Sequence, residues 1–215
     1  MDTLPEKRLY GDWSDENFCL AAVRGDGLSL RYTKARTRKV CMAAVLRDGE
    51  ALQYVWEQDE QLCLAAVCRN GMALAYVHQK TRPVCLAAVK NNGFALKYVG
   101  QSLQDEGICR EAVRQNGLAL QYVLKPTMGI CLDAVRQDGR AMLYVPDDLI
   151  NEEICLAAVR QDGLALMDMP ECCRTSEIKE AAMVNYVQSI SVQHDGAITQ
   201  TATDEEECEA FSPLQ

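Results

Sequence analysis

The sequence predicts an all-α protein, an α-solenoid of seven helix-turn-helix repeats of 22–24 residues with a C-terminal capping helix. Three observations predict it. Cys19, Cys41, Cys63, Cys85, Cys109, Cys131 and Cys155 follow one another at spacings of 22, 22, 22, 24, 22 and 24. Eight residues after each stands a glycine: Gly27, Gly49, Gly71, Gly93, Gly117, Gly139 and Gly163. Ala and Val fill the third and fourth places after every one of these cysteines, from Ala22-Val23 to Ala158-Val159. Thirteen residues after the cysteine stands Tyr32, Tyr54, Tyr76, Tyr98, Tyr122 or Tyr144, and Asp168 breaks the series in the seventh copy.

Taken in order, residues 1–14, with Tyr10 and Trp13, are read as an N-terminal cap segment, and residues 15–169 as the array. Each first helix opens at a side chain suited to cap an N-terminus, four residues before its cysteine: Asp15, Thr37, Asp59, Thr81, Asp105, Thr127 and Asn151. An apolar residue precedes each cysteine (Phe18, Val40, Leu62, Val84, Ile108, Ile130, Ile154). With Cys, Ala and Val it makes an i, i+1, i+4, i+5 stripe, the periodicity of a buried helix face. The helix then meets Asp-Gly or Asn-Gly, where glycine is expected to take the left-handed conformation that ends helices. A second, shorter helix follows, centred on Leu30, Leu52, Leu74, Leu96, Leu120, Met142 or Leu166. Helices this short are not stable alone, so their apolar faces must be buried against neighbouring units.

After the seventh unit, Thr175 and the run EIKEAAM repeat the cap and first helix once more, with Lys179 in the cysteine place and Val187 in the glycine place. Residues 170–190 are therefore expected to form a degenerate capping helix with a polar outer face. Residues 191–215 are Gln/Thr/Glu-rich and read as an acidic, disordered tail.

Composition narrows the function. Net charge is −9, but residues 171–215 hold nine Asp/Glu against two Lys/Arg, so the array itself is nearly neutral. A nearly neutral body argues against nucleic acid or a membrane surface as partner. The N-terminus has no apolar signal region and no apolar run approaches the roughly 18 residues of a membrane span. Eleven cysteines, an odd number without an export signal, read as reduced thiols in a cytoplasmic compartment.

The motif as it stands in CLAAVRQDGLAL and CLAAVKNNGFALKYV resembles a family of tandem LAAVxxNGxALxYA-like repeats known only as a domain of unknown function. The resemblance covers roughly residues 15–169. The family occurs in bacteria, some of them intracellular, and in protists. It implies the repeat fold and offers no catalytic residues to carry over. A bacterial effector or adaptor delivered into a host cell is the setting it suggests.

Candidate sites follow from what the repeat does and does not fix. The seven cysteines in register are expected to be a structural thiol ladder, because successive units lie roughly 8–10 Å apart. That is too far for a shared zinc or a disulfide. Cys68, Cys172, Cys173 and Cys208 fall outside the register, and the adjacent pair Cys172-Cys173 is the place to look for reactivity. One cation sits near the end of each first helix: Arg24, Arg47, Arg69, Lys90, Arg114, Arg136 and Arg160. Stacked, these make a basic edge suited to an acidic peptide, phosphates or the protein's own acidic tail, although a cation there also offsets the helix dipole. Connections alternate in charge, KARTRK, HQKTR and LKPT against EQDE, QDE and DDLINEE, which suggests a double repeat of about 44–46 residues. The tyrosines are expected to pack their rings and donate their hydroxyls to loop carbonyls.

The positions left free on the second helix are Leu28/Arg31, Glu50/Gln53, Met72/Ala75, Phe94/Lys97, Leu118/Gln121, Arg140/Leu143 and Leu164/Met167. They share one face at i, i+3 spacing, the candidate surface for a protein or peptide partner. The leading candidates on it are Leu28, Glu50, Met72, Phe94, Lys97, Leu118, Gln121 and Arg140. Catalytic signals are nearly absent: only His78 and His194 occur, with no phosphate-binding glycine loop and no HExxH. The expectation is a non-enzymatic binding scaffold without metal or cofactor. The competing class is an enzyme or a redox or metal-binding protein built on the off-register cysteines.

Overall fold

The computed structural model describes residues 11–188. Among them the chain is all helix and turn. Seven ten-residue α-helices alternate with short 3₁₀-helices: α1 (Glu16–Gly25), α2 (Arg38–Arg47), α3 (Glu60–Arg69), α4 (Arg82–Asn91), α5 (Glu106–Gln115), α6 (Met128–Gln137) and α7 (Glu152–Gln161). An eighth helix, α8, covers 176–188. Every substantial contact between α1–α7 and their 3₁₀-helices joins elements of the same or the next unit. This is the one-dimensional packing of an α-solenoid. One continuous core runs between the two columns of helices.

The N-caps form where the sequence places them. Asp15 Oδ1 accepts from Phe18 N at 2.6 Å, and Thr37, Asp59, Asp105, Thr127 and Asn151 do the same three residues on. Each such cap contributes about 1 kcal/mol. Thr81 is different: its hydroxyl donates to Glu60 Oε1 at 2.8 Å and makes no cap bond. The alternating charge of the connections is spent on these caps. Arg38 pairs with Asp59 at 2.9 Å, Arg82 with Asp105 at 2.6 Å, and Thr37 donates to Glu16.

One expectation is sharpened here and one is corrected. The second, shorter helix is no α-helix but a six-residue 3₁₀-helix, such as Gly27–Tyr32, Gly71–Tyr76 or Gly139–Tyr144. In a 3₁₀-helix residues three apart eclipse. The repeated G-x-A-L-x-Y then sets Gly over Leu, Ala over Tyr, and the two variable residues over each other. Nor do the glycines take a left-handed backbone; no described residue has a positive φ. The turn is made instead by the Asp or Asn before the glycine. Its backbone is extended (Asn70, φ −146°, ψ 108°), its N–H closes the α-helix on Ala66 O, and its side chain accepts from Met72 N to start the 3₁₀-helix.

Glycine is required at this point for space. A Cβ on Gly71 would lie 2.5 Å from the carbonyl oxygen of Ala88 in the next α-helix. The backbones of neighbouring units meet there. The approach is fastened by a side-chain amide two residues beyond the Val of the next helix. Asn91 Oδ1 accepts from Gly71 N (2.6 Å) while its Nδ2 donates to Cys68 O (2.9 Å). Gln115, Gln137 and Gln161 accept in the same way from Gly93, Gly117 and Gly139. Asn185 of α8 holds Gly163 and Arg160 O.

The ends differ from each other. At the start, Trp13 packs edge-on against Phe18 and its carbonyl accepts from Cys19 Sγ and from Lys34 N. At the other end α8 docks through Ile178 and Ala182. Its outer face is polar in the first turns, with Glu177, Lys179 and Glu180 exposed, and apolar further on, where Met183, Val184, Tyr186 and Val187 are exposed. Met183 stands in the place that a fully buried Val fills in α1–α7, because the described part of the last unit has no 3₁₀-helix to cover it. The expected acidic tail, 191–215, lies outside the described residues.

Units five and six depart from the pattern together. Arg110 replaces the usual Leu or Met, and Asp133 the usual Ala. Arg110 Nε lies 3.2 Å from Asp133 Oδ2 and Arg114 Nε 3.3 Å from it, an ionic bridge across α5 and α6.

Two stability predictions follow from these contacts. Gly71→Ala should lower unfolding free energy by about 1–3 kcal/mol in urea titration, the cost of forcing atoms into a filled contact. Gly100→Ala, whose Cβ would meet nothing within 4 Å, should be neutral. Equal losses at both sites would mean that contact is not what selects glycine. Asp133→Ala alone should cost about 1 kcal/mol, because it removes the acceptor that Arg110 and Arg114 share and leaves Arg110 with Glu106 alone. Arg110→Leu together with Asp133→Ala should return most of that, read as a double-mutant cycle.

Candidate functional site

The seven register cysteines are buried and free. Each sits near the start of its α-helix, facing the connection that leads into it. Cys19 Sγ donates to Trp13 O at 3.2 Å, and Cys41 Sγ to Arg36 O at 3.8 Å. In units three and five the acceptor is a side-chain amide, Gln58 or Gln104. Burial pushes these thiols up. Cys109, Cys131 and Cys155 reach about 11, with Asp105 and Asp148 adding to burial at the first two. Thiols so protonated are poor nucleophiles and poor metal ligands. Among the described residues no group of three His, Cys, Asp or Glu side chains is arranged to hold a metal.

The side chain five places before the cysteine has its own task, one the repeat pattern conceals because its type varies. Arg36 donates to Thr33 O, Gln58 to Val55 O, Lys80 to Val77 O, Gln104 to Val99 O and Arg174 to Met169 O. Each satisfies a carbonyl left open at the end of the preceding 3₁₀-helix.

Of the predicted basic edge, all seven cations are exposed. They do not form one column. Arg24, Lys90, Arg114, Arg136 and Arg160 stand five residues after their cysteines, but Arg47 and Arg69 stand six after. One residue turns the side chain by about 100° around the helix. In units two and three Leu46 and Cys68 occupy the outward place instead, and both are exposed. Arg47 turns inward, its Nε on Gly25 O at 3.4 Å. Arg136 pairs with Glu153 at 3.7 Å, and Arg114 with Asp133.

The variable face of the second helices is graded along the array. Leu28, Glu50, Met72, Phe94 and Leu118 are half-buried against the next unit. Phe94 meets Tyr122 edge-on at 6.2 Å, and Glu50 accepts from Asn70. Lys97, Gln121 and Arg140 are exposed; Lys97 lies over Tyr98, and Arg140 folds back on Asp138. The tyrosine ladder follows this face, half-exposed along its length. None of its six hydroxyls bonds to a described residue, contrary to expectation, so their polar ends stay in water.

In the last two units the face changes character. Leu143, Leu164 and Met167 are 61%, 58% and 74% exposed, beside Tyr144 at 40%. A Cβ built on Gly163 would lie within 3.3 Å of Tyr186 Cβ, so this apolar stretch continues onto the exposed side of α8. Repeat logic marked Leu143, Leu164 and Met167 only as variable. Leu143 and Met167 fill the place that Arg31, Gln53, Lys97 and Gln121 leave exposed in earlier units, and Leu164 the place that is half-buried at Leu28, Met72 and Phe94. Trp56, 78% exposed on the second connection, was missed outright because it lies outside the repeat pattern. It borders an open cleft of about 580 Å³ shared with Arg36, Arg38 and Asp59. His78 is exposed on a connection, and His194 and Cys208 lie outside the described residues.

Fold and surface together define an α-solenoid built from paired short units, with a regular interior and an irregular outside. The chain belongs to the DUF4116 family, a domain of unknown function, whose model matches residues 37–82, 81–125 and 128–172, more than half the sequence. Each match holds two units, so the double repeat suggested by the alternating connections is the family's own period. No curated protein and no solved structure matches the chain. No described helix is long and apolar enough to cross a membrane.

The thiol ladder gives a pH prediction. Cys109, Cys131 and Cys155 hold their protons up to about 11 when folded, against 9.0 ordinarily. The folded state therefore binds these protons more tightly. Their contribution is full below pH 9 and is lost as pH rises through 11, on the order of 2 kcal/mol per thiol. Urea midpoints should fall across that window, and less in a Cys109→Ala/Cys131→Ala variant. A flat profile would show the thiols to be solvated.

Proposed function

We propose that this protein is a non-enzymatic scaffold that holds a protein or peptide partner on the solvent-facing side of its 3₁₀-helices. The observation that carries the reading is the contrast along that side. Identical interiors support a surface that turns, in the last two units, into Leu143, Leu164 and Met167 beside Tyr144 and Tyr186, all exposed. Large apolar side chains so exposed and contiguous are what partner interfaces bury. Tyrosine rings suit such a surface, because the ring gives apolar area while the hydroxyl can stay hydrogen-bonded in water or in a complex. The reading places the protein in a cytoplasm, where its thiols stay reduced, and an effector or adaptor role fits the same surface.

The test is capture and photo-crosslinking with the full chain. A photoreactive residue at Leu164 should crosslink a discrete partner, and Leu164→Glu/Met167→Glu should abolish its capture while leaving the circular dichroism melt unchanged. Phe94→Glu/Met72→Glu, on the half-buried part of the face, should reduce capture far less. Equal capture by wild type and Leu164→Glu/Met167→Glu would overturn the reading.

A further inference from the structure

The final connection brings three cysteines to one point. The two earlier long connections end with a leucine six places before the next cysteine, Leu103 and Leu149, and both pack on the core. Six places before Lys179 that position is Cys173, packed on the same core. The substitution of a thiol for a leucine creates a relay. Cys173 Sγ lies 3.7 Å from Cys172 Sγ, within hydrogen-bond reach with either as donor, and buried Cys155 lies against Cys173. Cys155 is shut from solvent, Cys173 is half-buried and Cys172 is exposed. No other pair of cysteine sulfurs among the described residues is in contact.

We propose that Cys172 and Cys173 form a redox-active dithiol, with a peroxide as oxidant, Cys172 as the attacking sulfur and Cys173 as the resolving one. The Cys172 thiolate attacks one oxygen of hydrogen peroxide, breaks the O–O bond and becomes a sulfenic acid, releasing water once the departing hydroxide takes a proton. The Cys173 sulfur then displaces the sulfenic hydroxyl, its own proton leaves with that hydroxyl as a second water, and the disulfide closes. The sum is one dithiol and one peroxide to one disulfide and two waters. Cys155 is shut from solvent and lies against Cys173 rather than Cys172, so it does not compete as resolver.

Adjacent residues have Cα atoms about 3.8 Å apart, inside the roughly 4.4 Å at which unstrained disulfides begin. The bond formed is therefore strained and easily reduced, the property of a reversible switch. Closing it must distort the 3₁₀ turn Glu171–Cys173, which leads directly to Thr175, the cap of α8. Oxidation is thus coupled to the seating of α8. This inference is independent of the docking surface.

The experiment uses the full chain, reduced and desalted, treated with hydrogen peroxide, quenched with catalase and alkylated with N-ethylmaleimide. Peptide mapping should find Cys172 and Cys173 unalkylated and joined, their peptide lighter by two hydrogens, with dithiothreitol restoring both thiols. Cys173→Ser should leave a sulfenic acid on Cys172 that dimedone traps, and Cys172→Ser should leave Cys173 fully alkylated. Exposed Cys68 is the internal control. Three results would each overturn the proposal: both thiols alkylated at peroxide levels that oxidise Cys68, Cys172 carried to sulfinic acid without a bridge, or Cys172 joined to Cys208.

Discussion

The structure depends on one contact, the meeting of backbones at the glycine of each unit and the alanine carbonyl of the next α-helix. A Cβ there would sit at 2.5 Å from Ala66 O for Gly49 and from Ala134 O for Gly117. Once backbones touch at that point, little else is free. The preceding Asp or Asn must be extended so that it can end one helix and begin the other. The stretch after it must be narrow, which the tight 3₁₀ form provides. The facing residue must be Ala, since a larger side chain would hold the units apart. The neighbouring amide of Asn91, Gln115, Gln137, Gln161 or Asn185 then satisfies the glycine N–H that the close approach has removed from water.

Periodicity made the fold legible because every unit solves the same packing problem with the same residues. The Cys-x-x-Ala-Val register and the Asp/Asn-Gly pair locate both helices in all seven units. What it concealed were roles that depend on neighbours. A glycine after Asp or Asn looks like a left-handed helix terminus, and only the next unit's carbonyl shows that the need is for space. The amide clamp was visible as Asn or Gln at one place in units four to eight, yet its partner lies in the preceding unit. The tyrosine hydroxyls looked like loop anchors, but the connections bring their own donors, Arg36, Gln58, Lys80 and Gln104, to the carbonyls concerned. The candidate surface was legible as a set of free positions. Its grading was not, because burial at Leu28, Met72 and Phe94 comes from a following unit, whereas among the described residues Leu164 is followed only by α8.

Individuality in such an array lies where units depart from the pattern. Arg110 and Asp133 give units five and six a contact no other pair can make. Reciprocal departures of this kind favour one neighbour over another, since Asp133 against an ordinary leucine would lose the Arg110 contact. Trp56 marks the second connection, and the last two units trade polar surface for Leu143, Leu164 and Met167. The end of a solenoid is a natural place for such a surface. Inner units must give their faces to neighbours, whereas among the described residues the seventh has only α8 against it, which covers it in part.

The choice of cysteine at the register position follows from the same economy. That side chain faces a packed helix on one side and a connection of changing composition on the other. Its acceptor is a backbone carbonyl in units one and two and a glutamine amide in units three and five. Serine would need a well-placed partner in every unit, and valine would offer nothing to the carbonyls. A thiol is small, tolerates burial and donates weakly where an acceptor happens to be present. Burial also makes it chemically silent, with Cys109, Cys131 and Cys155 held as thiols to about 11. Thiol chemistry is thereby confined to cysteines the register does not enclose. Of these, only Cys172 and Cys173 stand in contact among the described residues, at the one connection where a thiol has taken the place of a core leucine.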